Sequence, residues 1–186
     1  MENKLTKLSE FQEILANYKV SDSGKDTLRR TELILLAGIT SSGRNTIVTE
    51  LLKTGKYHFI VSDTTRAPRK NHGILEQSGD EYWFKTEDEV LDGLRRGEYL
   101  EAAIIHNQQV SGISLKELEK ARDQSRIAIT DIEIVGVKNI VKAKTDAICL
   151  FVIPPSFDVW QKRLRGRGAM TSVEMARRLR SAQHEV

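Results

Sequence analysis

The most constraining stretch of the 186-residue sequence is ELILLAGITSSGRNTIVTELLKTG, residues 32–55. A short apolar run stops abruptly at a glycine-containing loop. A helix-patterned segment follows, with Ile47, Val48, Leu51 and Leu52 expected on its inner side and Gly55 at its end. An apolar run that short, with so sharp a stop, reads as a buried parallel strand. Strand, glycine loop and helix in succession confine the chain to a few α/β architectures. Consecutive backbone N–H groups at a helix N-terminus then form a cradle for anions. The loop, Gly38-Ile39-Thr40-Ser41-Ser42-Gly43-Arg44-Asn45-Thr46, keeps both glycines of the phosphate-loop pattern G-x-x-x-x-G-K-[ST]. It departs at Arg44, where lysine is expected, and at Asn45, where a hydroxyl is expected. Arg44 keeps the charge on a larger, planar fork. The Asn45 amide oxygen is a less natural ligand for Mg²⁺ than a hydroxyl. On the loop alone, phosphate binding and an ordinary glycine turn both stand open.

The same alternation of strand and helix resumes after residue 114. RIAITDI and AICLFVI read as strands, and VGVKNIVKA and FDVWQKRLRG as helices. Pro154-Pro155 stops the second strand, and Thr171 and Glu174 open a last helix. Alternation of this kind argues for a parallel sheet with right-handed crossovers, which binds ligands beyond the carboxyl ends of its strands. Both the glycine loop and TDIE fall at such ends. Between residues 62 and 113 the character changes to short strands and one helix that opens with a Thr86/Glu89 capping box. A second cap is expected at Ser114 and Glu117. Residues 1–20 place Leu5, Leu8, Phe11, Leu15 and Tyr18 at helical spacing, and the polar VSDSGKDTLRR after them reads as a linker. The N-terminal helix is therefore expected as an appendage, packed on the body or on a second copy as a homodimer.

Three further constellations carry chemistry. SDTTRAPR, residues 62–69, sets Arg66 and Arg69 three apart around a proline, suited to bidentate capture of a phosphate monoester. RLRGRG, residues 163–168, with Arg177 and Arg178 beyond it, places arginines on a glycine-hinged segment able to close over a polyphosphate. TDIE brings Asp131 and Glu133 to a strand end, where a carboxylate can hold Mg²⁺ through water; a salt-bridged strand end is the plainer alternative. His58, His72, His106 and His184 show no metal-ligand spacing, and no convincing general base is present.

In this order and spacing, GITSSGRNT, SDTTRAPR, GDEYWF, GEYLEAA, TDIE, FVIPPS, RLRGRG and ARRL resemble the guanylate kinase family over residues 32–186. The resemblance implies an α/β fold: a P-loop NTPase-like parallel sheet core flanked by helices, an inserted mixed α/β lobe that binds the nucleoside monophosphate, and a short lid. The implied organisation is an N-terminal helix and linker over 1–31 and a kinase-like domain over 32–186. Within that domain the core is 32–61 and 114–186, the lobe 62–113 and the lid about 163–172. The implied reaction moves the γ-phosphoryl of Mg-ATP onto GMP or dGMP. Gly38, Ser41, Ser42, Gly43, Arg44, Asn45 and Thr46 would hold ATP. Arg66, Arg69 and Tyr82, with Ser111 in place of a tyrosine, would hold the GMP phosphate, while Ser62, Glu101 and Glu133 would read guanine. Arg44, Arg163, Arg167, Arg178 and Asp131 would carry catalysis, and Asn45 and Asp131 would face Mg²⁺. An anionic phosphate oxygen is the nucleophile, so alignment and charge screening suffice.

The chain also departs from the family. SGIS replaces the usual YGTS, so Ser111 stands for a phosphate-binding tyrosine and Ile113 for a base-reading hydroxyl. Glu133 stands for aspartate, and RKNHGILEQSGDEY is a few residues longer than usual. The family continues into another strand and helix, so the last sheet edge is expected to be truncated or organised differently. A catalytically impaired module that binds a nucleotide or a phosphorylated partner is the alternative reading. A net charge of +3 is too small to argue for nucleic acid. No apolar run approaches the ~20 residues that span a bilayer. Cys149, alone and inside an apolar run, is expected as a buried, reduced cysteine of a cytoplasmic protein.

Overall fold

A computed structural model describes residues 5–71, 73–105, 107–166, 179, 180 and 182. In chain order it contains α1 (Leu8–Ala16), α2 (Asp22–Arg30), β1 (Leu33–Ala37), α3 (Arg44–Leu52), β2 (Tyr57–Phe59) and β3 (Asp63–Thr64). There follow β4 (Lys70–Asn71), β5 (Ile74–Leu75), β6 (Trp83–Phe84), α4 (Glu87–Arg95), β7 (Tyr99–Ile105) and β8 (Gln109–Ser114). The chain continues through α5 (Leu115–Asp123), β9 (Ile127–Asp131), α6 (Ile134–Ala143), β10 (Ile148–Phe151) and α7 (Phe157–Arg165). One sheet has the order β10-β1-β9-β2, with β1 and β10 parallel, and a second has the order β6-β3-β8-β7. The parallel α/β reading therefore holds.

Two compact units divide the chain, residues 1–32 with 58–128, and 33–57 with 129–186. The first is wider than the expected lobe of 62–113, because it takes in the N-terminal segment and α5. The reason is hydrophobic. Phe11 of α1 is fully buried with Leu5, Val90, Leu91, Leu94, Tyr99 and Val110, so the apolar stripe of α1 is taken up by α4 and β7 of its own chain. Burying a side chain such as Phe11 contributes about 1.5–3 kcal/mol. α1 has no cap from its own N-cap residue. The Glu87 carboxylate, at the start of α4, accepts instead from the backbone N–H groups of Thr6 (3.0 Å) and Lys7 (2.8 Å). The α4 capping box of Thr86 and Glu89 forms as expected.

The expected linker is a helix. Ser21 caps α2 by accepting from the Gly24 N–H at 3.2 Å, Asp22 and Arg29/Arg30 complement the helix dipole, and Thr27 and Leu28 are buried. Gly24 reads as a breaker in sequence but is a packing residue: a Cβ there would lie 2.5 Å from Leu115 Cδ1 of α5. Glu117 also differs from expectation. It makes no cap with Ser114. Its buried carboxylate accepts from the Val61 N–H (3.1 Å), Trp83 Nε1 (3.1 Å) and Lys120 Nζ (2.7 Å), and pairs with His58 Nε2 at 3.2 Å.

In the second unit, Val48 is the buried residue of α3, while Ile47 and Leu52 are exposed. Arg44, Val48 and Leu51, at i, i+4 and i+7, form the less exposed stripe, so the inward face also carries Arg44. Trp160, Leu164 and Ile39 pack with Ala182. Cys149 is exposed, against expectation, because among the described residues β10 is the outermost strand of its sheet, and Ile148, Leu150 and Phe151 beside it are exposed too. The expected opening of the last helix at Thr171 and Glu174 lies outside the described residues. Among the described residues no helix is long and apolar enough to cross a membrane.

Candidate active site

The glycine loop leaves β1 at Ala37 and enters α3 at Arg44. Gly38 has φ +146°, and a Cβ there would lie 2.2 Å from the Val152 carbonyl oxygen, so the conformation and the space both require glycine. Ser41 is left-handed (φ 62°) and Gly43, at φ 113°, is the N-cap of α3. Two side-chain donors fix the loop from α7. Trp160 Nε1 donates to the Thr40 carbonyl at 2.7 Å, and Arg163 Nη1 to the Ser42 carbonyl at 2.7 Å. The hydroxyls of Ser41 and Ser42 are buried without a hydrogen-bond partner among the described residues. Buried hydroxyls are normally satisfied, so two orphans in a loop that leads into a helix N-terminus fit an anion with several acceptor oxygens. Residues Thr40 to Ile47 line a cavity of about 700 Å³ with Asp131, Val152, Ile153, Pro155 and Arg163.

Arg44 is held in that cavity's wall. Its Nη1 lies 2.6 Å from Asp131 Oδ1, and both side chains are partly exposed. Of the residues expected to hold ATP, Ser41, Ser42, Gly43, Arg44, Asn45 and Thr46 line the cavity, with Asn45 and Thr46 exposed. Glu133 is the exposed N-cap residue of α6 in this same unit, and its side chain makes no cap. Arg167 and Arg178 lie outside the described residues.

In the first unit, SDTTRAPR runs from β3 into a turn. Arg66 is buried and clasped by a carboxylate that the motif did not reveal. Nη1 and Nη2 donate to Glu76 Oε2 and Oε1 at 2.5 and 2.9 Å, and the Arg69 N–H donates to Glu76 Oε2 at 2.8 Å. The guanidinium lies 4.7 Å from the centre of the Tyr82 ring and 5.5 Å from that of Phe84. Burial works against the charged guanidinium, but the Glu76 carboxylate outweighs it and raises the Arg66 pKa. Arg66, Arg69 and Tyr82 are thus gathered, with the Arg69 side chain exposed. Glu76 sits in the longer GILEQSGDEY stretch with Asp80 and Glu81, and no local pattern singles it out from them as the partner of Arg66.

Ser62 precedes β3, and its carbonyl accepts from the Trp83 N–H at 2.9 Å. Ser111 Oγ donates to the Asp63 carbonyl at 3.1 Å. Ile113 is 1% exposed, opposite Glu101 across the β7–β8 pair. Burial pushes the Asp63 carboxyl up, and Tyr99 Oη donates to its Oδ2 at 2.6 Å.

The chain as a whole is similar to known proteins. A family model of guanylate kinase matches residues 29–186. The chain belongs to the guanylate kinase family. It is 37% identical over 166 residues to the guanylate kinase of Corynebacterium glutamicum, an alignment covering 88% of this chain and 84% of that protein. It is 35% identical over 155 residues to guanylate kinase 1 of Oryza sativa subsp. japonica, covering 82% of this chain but 39% of the longer rice protein. The crystal structure of guanylate kinase from Anaplasma phagocytophilum superposes with a TM-score of 0.55 at 27% identity, covering 78% of this chain and 71% of that one.

Proposed function

We propose that the chain transfers the γ-phosphoryl group of ATP to GMP, or to dGMP, yielding ADP and GDP. The observation that carries this reading is the phosphate cradle, with its fixed glycine conformations and its two buried, unpartnered serine hydroxyls beside Arg44, Asp131 and Arg163. A module that only captured a phosphorylated partner through residues 62–113 would leave that cradle without a task.

In this reading the loop N–H groups and the Ser41 and Ser42 hydroxyls bind the donor polyphosphate. Arg44 supplies the charge that lysine supplies in the consensus, and Arg163 lies against the loop where charge builds up during transfer. Arg66, Arg69 and Tyr82 take the acceptor phosphate, with Ser111 beside them, and Ser62, Glu101 and Glu133 take its base. The lid arginines Arg167 and Arg178 complete the screening. The buried Ile113 removes one polar contact to the base.

Mg²⁺ fits as a companion of the nucleotide. Among the described residues no cluster of three His, Cys, Asp or Glu could hold an ion unaided. The donor set at the cradle is Asp131, already paired with Arg44, and the Asn45 amide. Asp131 would hold the ion through water, with Asn45 beside it, and the ion would neutralise phosphate charge. A cytoplasmic location suits an ATP-dependent enzyme of nucleotide metabolism.

The test is phosphoryl transfer from Mg-ATP to GMP, dGMP, AMP, CMP and UMP, followed by phosphorus NMR. GDP or dGDP formed well above background, with the other acceptors slow, is the expected result. Turnover of another monophosphate in preference to GMP would overturn the base assignment. No transfer to any acceptor would overturn the enzyme reading.

A further inference from the structure

The N-terminal segment ahead of the family match reaches the backbone of β7, the strand that carries Glu101. Among the described residues β7 is the outermost strand of its sheet, paired antiparallel to β8. The register breaks between Tyr99 and Glu101: Tyr99 lies opposite Ser114 and Glu101 opposite Ile113, so Leu100 is an extra residue. Such a bulge re-aims the side chains that follow it. Tyr99 and Leu100 are buried in succession, which strict alternation on a half-buried strand would not give. Beyond the bulge, Glu101 shares a face with Ile113, and Ala103 with Ser111, since directly opposed residues lie on the same face. Without the extra residue Glu101 would turn to the other face.

The bulge is fastened from α1's end of the chain. The Tyr18 hydroxyl donates to the Tyr99 carbonyl at 2.5 Å and accepts from the Tyr99 N–H at 2.9 Å, while the Tyr18 ring packs on the cluster around Phe11. One phenol therefore satisfies both backbone groups of Tyr99. The Tyr99 side chain is anchored in turn on Asp63, the first residue of β3 and the neighbour of Ser62.

We propose that Tyr18 is a positioning residue for acceptor recognition: its hydroxyl holds the β7 bulge that aims Glu101 at the base. This rests on the reading of Glu101 as a base contact. A carboxylate accepts from the guanine N1–H and 2-amino groups, so its aim shows as discrimination between GMP and IMP, which lacks the 2-amino group.

The experiment compares the full-length chain with Tyr18→Phe and, in parallel, Glu101→Gln, measuring kcat and KM for GMP, IMP and ATP. Tyr18→Phe keeps the ring and its packing. Loss of the hydrogen-bonded hydroxyl is expected to raise KM for GMP roughly three- to tenfold. The preference for GMP over IMP should fall with it, while kcat and KM for ATP stay within about twofold. If Glu101→Gln erodes the preference and Tyr18→Phe does not, the positioning role is wrong. Equal rises in all three KM values for Tyr18→Phe would mean a merely structural role and also overturn it. If Glu101→Gln itself leaves the preference intact, the base-reading assignment fails, and this inference fails with it.

Discussion

The glycine loop and the lobe that carries Arg66 both suit phosphate, but they hold their shape by different means. The loop is fixed through backbone: a glycine that no other residue can replace at 38, left-handed turns at 41 and 43, and carbonyls tied to Trp160 and Arg163. The lobe is fixed through side chains: Glu76 clasps Arg66, Tyr99 bonds Asp63, and Glu117 gathers Val61, Trp83, Lys120 and His58. A backbone cradle tolerates exchange of its charged side chain, because its N–H groups remain in place. That is how Arg44 and Asn45 can replace the consensus pair while the cradle keeps its form. A side-chain network has no such reserve, since removing one member leaves the others buried and unpaired.

The largest expected effect falls on the backbone side. Gly38→Ala forces a Cβ against the Val152 carbonyl, and ATP binding should weaken by at least ~1000-fold while GMP binding survives. Equilibrium binding of each nucleotide checks this, and equal loss of both would erase the distinction between the two regions.

Arg44 comes next. Arg44→Ala removes a charge from the cradle and should lower kcat roughly 100- to 1000-fold. Arg44→Lys should stay within about tenfold of the parent or exceed it, because the backbone cradle is untouched. Steady-state kinetics decide the matter; a parent-like Arg44→Ala would remove Arg44 from the chemistry.

The smallest effect sharpens the contrast from the lobe's side. Although burial opposes its charged form, the His58, Lys120 and Val61 partners bring the Glu117 carboxyl down to about 2, against 4.5 for a free glutamate. A depressed carboxylate contributes stability above its unfolded pKa. That contribution, of order 3 kcal/mol, should therefore be lost as pH falls from about 4.5 towards 2. Urea denaturation across that window should show the fall in the parent and a flatter profile in Glu117→Gln. Identical profiles would mean that the network is not electrostatic.

The sequence made the donor side more legible than the acceptor side for the same physical reason. Glycine spacing, an apolar strand and a helix start are local signals, and the loop from Gly38 to Gly43 and the strand that ends at Asp131 could be placed from them. Side-chain networks join residues far apart in the chain, such as Tyr18 with Tyr99 or His58 with Glu117, and leave no local pattern. Thus Glu117 read as half of a helix cap, and Glu76 as part of a long loop. VSDSGKDTLRR read as a linker because Gly24 resembles a breaker when the Leu115 it packs against is out of view. Cys149 misled similarly: an apolar run implies burial only if the strand lies inside the sheet, and among the described residues β10 is the outermost strand.

The central claim is that residues 38–46 form a working polyphosphate cradle with arginine in the lysine's place. The most direct measurement is a titration of the ¹⁵N-labelled chain with Mg-ATP, following the backbone amides. Saturable shifts concentrated at residues 38–46 are predicted. Amides that stay still in that loop at millimolar ATP, while GMP moves those of residues 62–69, would contradict the claim.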